Sequence, residues 1–243
     1  MSGHSKWANI KYKKESADKR RGKIFSKLSR QISLAAREKG GDPETNSTLR
    51  MVIEKAKSLN MPKENIERAI KRGLGELEGV KYERVSYEAL GPGGIAIIIE
   101  GVTDNKNRTL ADIKQILNKN NGKLAKEGSV RWLFARKGVI TLDPQEQETE
   151  LTKNDIELKI IESGAEDFKW FDNYIDVYTK PEDLEKVKNA LSSQGLKISD
   201  FSLDWVAKNP IEISDADKEK CRKLFESLNE SESVQEIYSN TNL

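Results

Sequence analysis

Basic side chains crowd the first 30 residues of the chain, and aromatic residues stand among them. Such cations can neutralise the phosphates of a polyanion and release its counterions, while Trp7 and Tyr12 offer faces on which unpaired bases could stack. Trp7 is equally compatible with an anchor that packs back onto the body of the protein. The candidate nucleic-acid-binding residues are Lys6, Trp7, Lys11, Lys13, Lys14, Arg20, Arg21, Lys23, Lys27 and Arg30.

The charge of the chain is divided unevenly along its length. Residues 1–40 hold 12 Lys and Arg against 3 acidic residues, residues 41–80 hold 7 of each, and the remainder carries an acidic excess of 7. A basic head on an acidic body is typical of a protein that meets a polyanion at one end. The alternative is that the basic run is simply solvated.

Catalytic and metal chemistry lack their usual side chains. His4 is the only histidine and lies on the basic arm, which argues against a histidine metal cluster and against a serine–histidine triad buried in a cleft. Cys221 is the only cysteine, so a cysteine metal cluster cannot form. The GPGG segment at 91–94 lacks the Lys-Ser or Lys-Thr of a nucleotide-binding loop, which favours a tight hairpin turn. We therefore expect no catalytic residues, no metal and no cofactor, and we predict that the protein is not an enzyme.

Cysteine usage and hydropathy indicate the compartment. Cys221 cannot form an internal disulfide, and it is interpreted as half-buried filler, with a reactive thiol as the alternative. No stretch of sequence approaches a membrane span. We therefore expect a cytoplasmic protein without a membrane partner, and the oligomeric state is left open.

Three short helices are predicted to position the basic residues. The helix at 23–39 has an apolar face, a second helix fits 47–59, and a third follows Pro62 and ends at Gly73. Opposite the apolar face of the first helix lies a basic ridge of Lys23, Lys27, Arg30 and Arg37. Residues 1–80 are therefore predicted to be a basic arm plus a helical bundle.

The rest of the chain predicts two β-α-β-β-α-β units. One is complete within residues 135–206. The other joins residues 81–134 to 207–243, with predicted strands at 85–90, 95–103, 129–134, 210–214 and 234–239. The predicted fold class is α+β in three domains, a small N-terminal three-helix bundle followed by two ferredoxin-like α+β domains, with the second inserted in the first.

Several long motifs resemble a known family. They are GHSKWANIKYKK, RGKIFSKLSRQI, GGDPETNSTLR, KAKSLNMPKENIERAIKRG and YEALGPGGIAIIIEGVTDNKNRT. They resemble the YebC family of YebC/PmpR-type transcriptional regulatory proteins, which is related to the mitochondrial translational activator of cytochrome c oxidase. Tyr12, where a histidine is common, and Leu90, where a glycine is frequent, depart from the pattern. The resemblance implies three domains, a cytoplasmic location and no known enzymatic activity.

The resemblance also implies two possible targets. Family members are described as DNA-binding transcriptional regulators, and others as ribosome-associated factors that relieve stalling at proline-rich stretches. The sequence shows no helix-turn-helix pair with a clear recognition helix for DNA. Recognition of ribosomal RNA by shape would not need such a helix. The prediction is a nucleic-acid-binding regulator, most simply a DNA-binding transcriptional regulator, with a ribosomal-RNA-binding translation factor as the alternative.

Overall fold

The computed structural model describes residues 18–147 and 151–243, with side chains from residue 21 onward. These residues form two compact units. The first contains the described residues up to Phe134 together with Ala207–Leu243, and the second contains the described residues of Ala135–Val206. The predicted α+β class is confirmed, because helices are followed by two antiparallel sheets. The division into three domains stays a prediction.

Three helices open the described part of the first unit: α1 (Asp18–Lys39), α2 (Ser47–Ser58) and α3 (Lys63–Gly73). Their bounds agree with the predicted ones, except that α1 is longer by at least one turn. The apolar faces of the three helices meet in one small core. Its buried members include Leu28, Ile32, Leu49, Ile53, Ile66 and Ala69.

The strands and the other helices follow in one continuous series. In chain order they are β1 (Glu83–Leu90), β2 (Ala96–Thr103), α4 (Lys106–Lys119), β3 (Lys123–Leu124), β4 (Phe134–Leu142), α5 (Lys153–Glu162), β5 (Asp167–Trp170), β6 (Ile175–Thr179), α6 (Leu184–Ser193), β7 (Ile198–Ala207), α7 (Asp215–Glu230) and β8 (Val234–Ser239). Two predicted strands, at 129–134 and 210–214, are wrong.

The sheet of the first unit has the order β3-β1-β2-β8. β1 pairs antiparallel with both β2 and β3, and so it takes the central position that the prediction gave to residues 210–214. Residues 210–214 contribute only one isolated parallel β-bridge, between Ile211 and Thr241. Pro210 has no N–H to donate to a ladder, whereas β1 is held next to β2 by the short turn at Pro92–Gly94. The predicted β-α-β-β-α-β unit is therefore completed by a strand that precedes it in the chain.

A loop and a 3₁₀ turn at Arg131–Leu133 stand where the strand at 129–134 was predicted. The buried carboxylate of Glu88 accepts N–H groups of this segment, from Gly128 and Val130 at 2.7 Å and from Arg131 at 3.1 Å. Burial would raise the pKa of Glu88, but the three donors outweigh it and hold that pKa below its ordinary value. Because a side chain satisfies these N–H groups, they are not available to a strand ladder.

The second unit has the predicted β-α-β-β-α-β arrangement. Its sheet order is β5-β6-β4-β7, in which the first and third strands of the unit are neighbours at the centre. β6 pairs antiparallel with β4 and with β5. This is the ferredoxin-like order expected for residues 135–206.

Candidate nucleic-acid interface

Part of the predicted interface lies outside the described residues. These positions are Lys6, Trp7, Lys11, Lys13 and Lys14. Arg20 lies in α1, but its side chain is also outside the described part. The structure therefore places four of the predicted side chains, those of Arg21, Lys23, Lys27 and Arg30, and Arg21 is exposed to solvent.

The other three of these predicted residues, all on α1, face the C-terminal end of α7. Lys23 forms an ion pair with Glu230. Lys27 donates from Nζ to the carbonyl oxygen of Asn229 at 2.9 Å. Arg30 forms an ion pair with Glu232 and also donates to its carbonyl oxygen at 3.2 Å. We call Lys23, Lys27 and Arg30 the paired cluster.

The end of α7 attracts this cluster for two physical reasons. The last carbonyl groups of a helix carry a partial negative charge, and acidic residues at 230 and 232 add to it. Lys27 is the most enclosed member, and burial lowers the pKa of its ammonium from 10.5 to about 8, although Glu236 and Glu230 oppose the change. Much of the positive charge on this side of α1 is therefore already matched within the first unit.

A second basic feature lies between α1 and α3. It is a cleft of about 310 Å³, and its rim includes the exposed side chains of Ser26 and Arg68. Half-buried Phe25 and buried Ala69 give its lining an apolar part. The full lining consists of Phe25, Ser26, Ser29, Arg30, Asn65, Arg68, Ala69, Arg72 and Tyr82.

Close packing of α1 on α3 fixes the walls of this cleft. Ser33 Oγ donates to the carbonyl oxygen of Ala69 at 2.7 Å, inside the helical core. A Cβ atom at Gly73 would lie 2.2 Å from the Ser33 carbonyl oxygen, so only glycine permits this approach of the two backbones. Positions 65, 68, 69 and 72 of α3 recur at helical spacing and therefore share the face that lines the cleft.

Arg68 and Arg72 are the cleft arginines, and they differ from the paired cluster. The side chain of neither residue forms a hydrogen bond or an ion pair with another residue of the described ranges. The guanidinium of Arg30 stands 5.6 Å from the centre of the Tyr82 ring at the same cleft. A guanidinium stays charged at any physiological pH and presents a planar fork of donors that matches a phosphate. An anionic group in the cleft would therefore not have to displace a hydrogen-bond or ion-pair partner of the Arg68 or Arg72 side chain among the described residues.

The sequence prediction missed the cleft arginines, Asn65 and Tyr82. Residues 41–80 have no net charge, so the two arginines did not stand out from the acidic residues near them in the sequence. A signal was present in NIERAIKRG, where Arg68 and Arg72 are four residues apart and must share one helix face. No sequence spacing could reveal Tyr82, because the residue reaches the cleft from the chain beyond α3.

Other candidate sites of the sequence have structural roles. Pro92–Gly94 is a tight turn between β1 and β2, in which Gly93 and Gly94 have φ of 70° and 75°. Cys221 is buried in the core, not half-buried, and burial raises the pKa of its thiol to about 11, which disfavours a reactive thiolate.

Metal-binding clusters and membrane spans were sought in the same residues. Within 18–147 and 151–243, no three His, Cys, Asp or Glu side chains are grouped as metal ligands would be. The helices of this part of the chain are all too short or too polar to cross a membrane.

Comparison with known proteins gives matches along the whole chain. Residues 5–76 match the TACO1/YebC protein N-terminal domain, and residues 82–241 match the TACO1/YebC second and third domain. A "Probable transcriptional regulatory protein" of Halothermothrix orenii is 49% identical over 241 residues, which are 99% of this chain and 94% of the relative. A similarly named protein of Caldanaerobacter subterraneus subsp. tengcongensis is 47% identical, with 100% of this chain and 99% of the relative covered.

Similarity extends to solved structures. Among them is the crystal structure of a conserved hypothetical protein from Aquifex aeolicus, with a TM-score of 0.85 and 41% sequence identity. The match covers 93% of this chain and 91% of that one. The similarity therefore extends over both units.

Proposed function

Because the chain belongs to the TACO1/YebC family, we propose that it is a cytoplasmic regulatory protein that binds nucleic acid, with DNA as its target in the control of transcription. The predicted membership of the YebC family is confirmed. Relatives at 47–49% identity carry the name of transcriptional regulators, which supports a regulatory role and favours a protein that is not an enzyme.

One observation carries the nucleic-acid part of the proposal. The cleft between α1 and α3 is lined by three arginines, and two of them, Arg68 and Arg72, have no partner among the described residues. Hydrogen bonds between a guanidinium and a phosphate are charge-assisted and frequently bidentate. The basic residues of the N-terminal 40 positions add an attraction for polyanions that does not depend on sequence.

Ribosomal RNA is the second candidate target, and α3 supplies a reason to consider it. Its exposed residues include Glu64 and Glu67 beside Lys63 and Lys71. Carboxylates on the outer face of a helix are repelled by the phosphates that line a DNA groove. Recognition of folded RNA by shape and backbone contacts requires no groove-reading helix, so the ribosome remains an alternative partner.

Competition between the two polymers tests the proposal. The purified full-length chain is mixed with labelled promoter-length duplex DNA, and then with ribosomes, over a series of salt concentrations. We expect binding whose logarithm falls linearly with the logarithm of salt, by about 0.9 for each DNA phosphate neutralised. Ribosome binding that persists in excess DNA at physiological salt would identify ribosomal RNA, and not DNA, as the target. Binding to neither polymer would contradict the whole proposal.

A further inference from the structure

The geometry points to a specific ligand for the cleft: one unpaired nucleotide, held by its phosphate and its base together. This inference rests on the proposed function and deepens it, because it names the chemical form of nucleic acid that the site takes. It goes beyond attraction to a polyanion, which any exposed basic surface would supply. Three features of the cleft carry it.

The first feature is a pair of unmatched guanidinium groups next to hydroxyl donors. Arg68 and Arg72 project from successive turns of α3, and Ser26 and Ser29 line the cleft from α1. A phosphate offers several acceptor oxygens at once, which suits two planar forks and two hydroxyls. The side chains of Arg68 and Arg72 form no hydrogen bond or ion pair with a described residue, so those residues do not occupy their guanidinium donors.

The second feature is a surface suited to a base. The Tyr82 ring lines the cleft with the Arg30 guanidinium 5.6 Å from its centre, and Phe25 adds apolar surface. Unpaired bases stack on aromatic rings and on arginine planes. Asn65 lines the same space, and its amide can both donate to and accept from the edge of a base. An inorganic anion would not use the Tyr82 ring or the apolar surface of Phe25.

The third feature is size. The volume of about 310 Å³ lies at the lower end of the range of about 300–1,000 Å³ found for small-molecule pockets. The cleft is a concavity between two closely packed helices, so it can receive one base with its phosphate but not a stacked base pair. We therefore expect a preference for single strands, ends and bulges over a continuous duplex.

Variants of the full-length chain separate the three contributions. Arg68→Gln with Arg72→Gln removes the phosphate donors, and Ser26→Phe obstructs the mouth of the cleft at an exposed position while leaving every charge in place. Lys71→Gln is the control, because Lys71 is exposed on the same helix but does not line the cleft. Circular dichroism verifies that each variant is folded.

Binding is measured by anisotropy of a labelled single-stranded 12-mer and by calorimetry with adenosine monophosphate, adenosine and inorganic phosphate. We expect the monophosphate to bind more tightly than adenosine or phosphate. The variant Arg68→Gln with Arg72→Gln should bind the 12-mer about tenfold or more weakly, which corresponds to the loss of one charge-assisted hydrogen bond. Ser26→Phe should weaken binding of both the 12-mer and the monophosphate. Lys71→Gln should change neither affinity by more than about twofold.

The outcomes distinguish this inference from the proposed function. Equal binding of single strand and blunt duplex, unchanged by Ser26→Phe, overturns the nucleotide cleft and leaves nucleic-acid binding in place. Inorganic phosphate that binds as tightly as the monophosphate also overturns it, because the base then contributes nothing. Binding of the monophosphate with no binding of any polymer would retain the cleft and remove the proposed function.

Discussion

The paired cluster and the cleft arginines are two sets of cations on the same helical part of the molecule, and they differ in what they contact. Lys23, Lys27 and Arg30 meet the acidic end of α7, whereas the side chains of Arg68 and Arg72 form no hydrogen bond or ion pair with a described residue. The paired cluster belongs to the region with the largest basic excess, and the cleft arginines belong to a region of balanced charge. Formal charge along the sequence is therefore a poor guide to charge that a ligand can use.

Solvation explains why pairing matters more than charge count. An ion pair at the surface contributes little to stability, commonly less than about 1 kcal/mol, but a new ligand must still displace the existing partner. A cation that also lies in an enclosed position, such as Lys27, has lost part of its hydration. An unpaired arginine at a cleft exchanges only water for phosphate, so a larger share of the contact energy appears as affinity.

Replacing two charges in each set should give the largest expected difference in affinity for single-stranded nucleic acid. We expect Arg68→Gln with Arg72→Gln to weaken binding of single-stranded nucleic acid by about tenfold or more relative to Lys23→Gln with Lys27→Gln. Arg30 is left intact in both variants, because it belongs to the paired cluster and also lines the cleft. Fluorescence anisotropy at one fixed salt concentration measures the ratio of the two affinities. Equal losses would mean that the two sets do not differ in function.

Replacing Lys27 should have a smaller effect, and we expect this effect on stability and not on binding. Its pKa is about 8 in the folded chain against 10.5 ordinarily, so the unfolded chain binds the proton more strongly between these values and stability rises with pH. Relative to Lys27→Met, the wild type should gain about 1 kcal/mol from pH 7 to pH 9, since one pKa unit corresponds to about 1.4 kcal/mol. Denaturant unfolding at both pH values measures the gain.

Exposed Lys71 provides the matched control for this pH effect. The same comparison with Lys71→Met should not show this gain, because Lys71 is exposed on α3 and its side chain forms no hydrogen bond or ion pair with a described residue. A parallel change in both variants would assign the effect to general charge and not to the enclosed position of Lys27. No change in either variant would show that the Lys27 ammonium is not enclosed as described.

Local patterns were sufficient to predict most of the fold. Helical spacing and the stop signals at Pro62 and Gly73 located α2 and α3, and β-branched runs located β2 and β8. The strand predicted at 129–134 failed because a distant side chain, Glu88, takes the N–H groups that a ladder would need. Such competition between a side chain and a strand depends on tertiary structure and leaves no local signal.

The candidate site was less predictable than the fold. The sequence identified Lys23, Lys27 and Arg30 as basic but could not show that residues some 200 positions away would pair with them. The cleft requires α1, α3 and Tyr82 to converge: α1 and α3 approach closely at Gly73, and Arg37 of α1 donates to the carbonyl oxygen of Tyr82 at 2.7 Å. Spacing within one helix is readable from a sequence, whereas a concavity formed by three segments is not.

Chemical footprinting of arginine tests most directly whether nucleic acid occupies the cleft. Phenylglyoxal modifies accessible guanidinium groups, and mass spectrometry compares each site with and without a single-stranded oligonucleotide. The account predicts that Arg68 and Arg72 react in the free chain and are protected by the oligonucleotide, while Arg222, which pairs with Glu219 on α7, reacts equally in both samples. Equal modification of Arg68 and Arg72 with saturating oligonucleotide present would contradict the account.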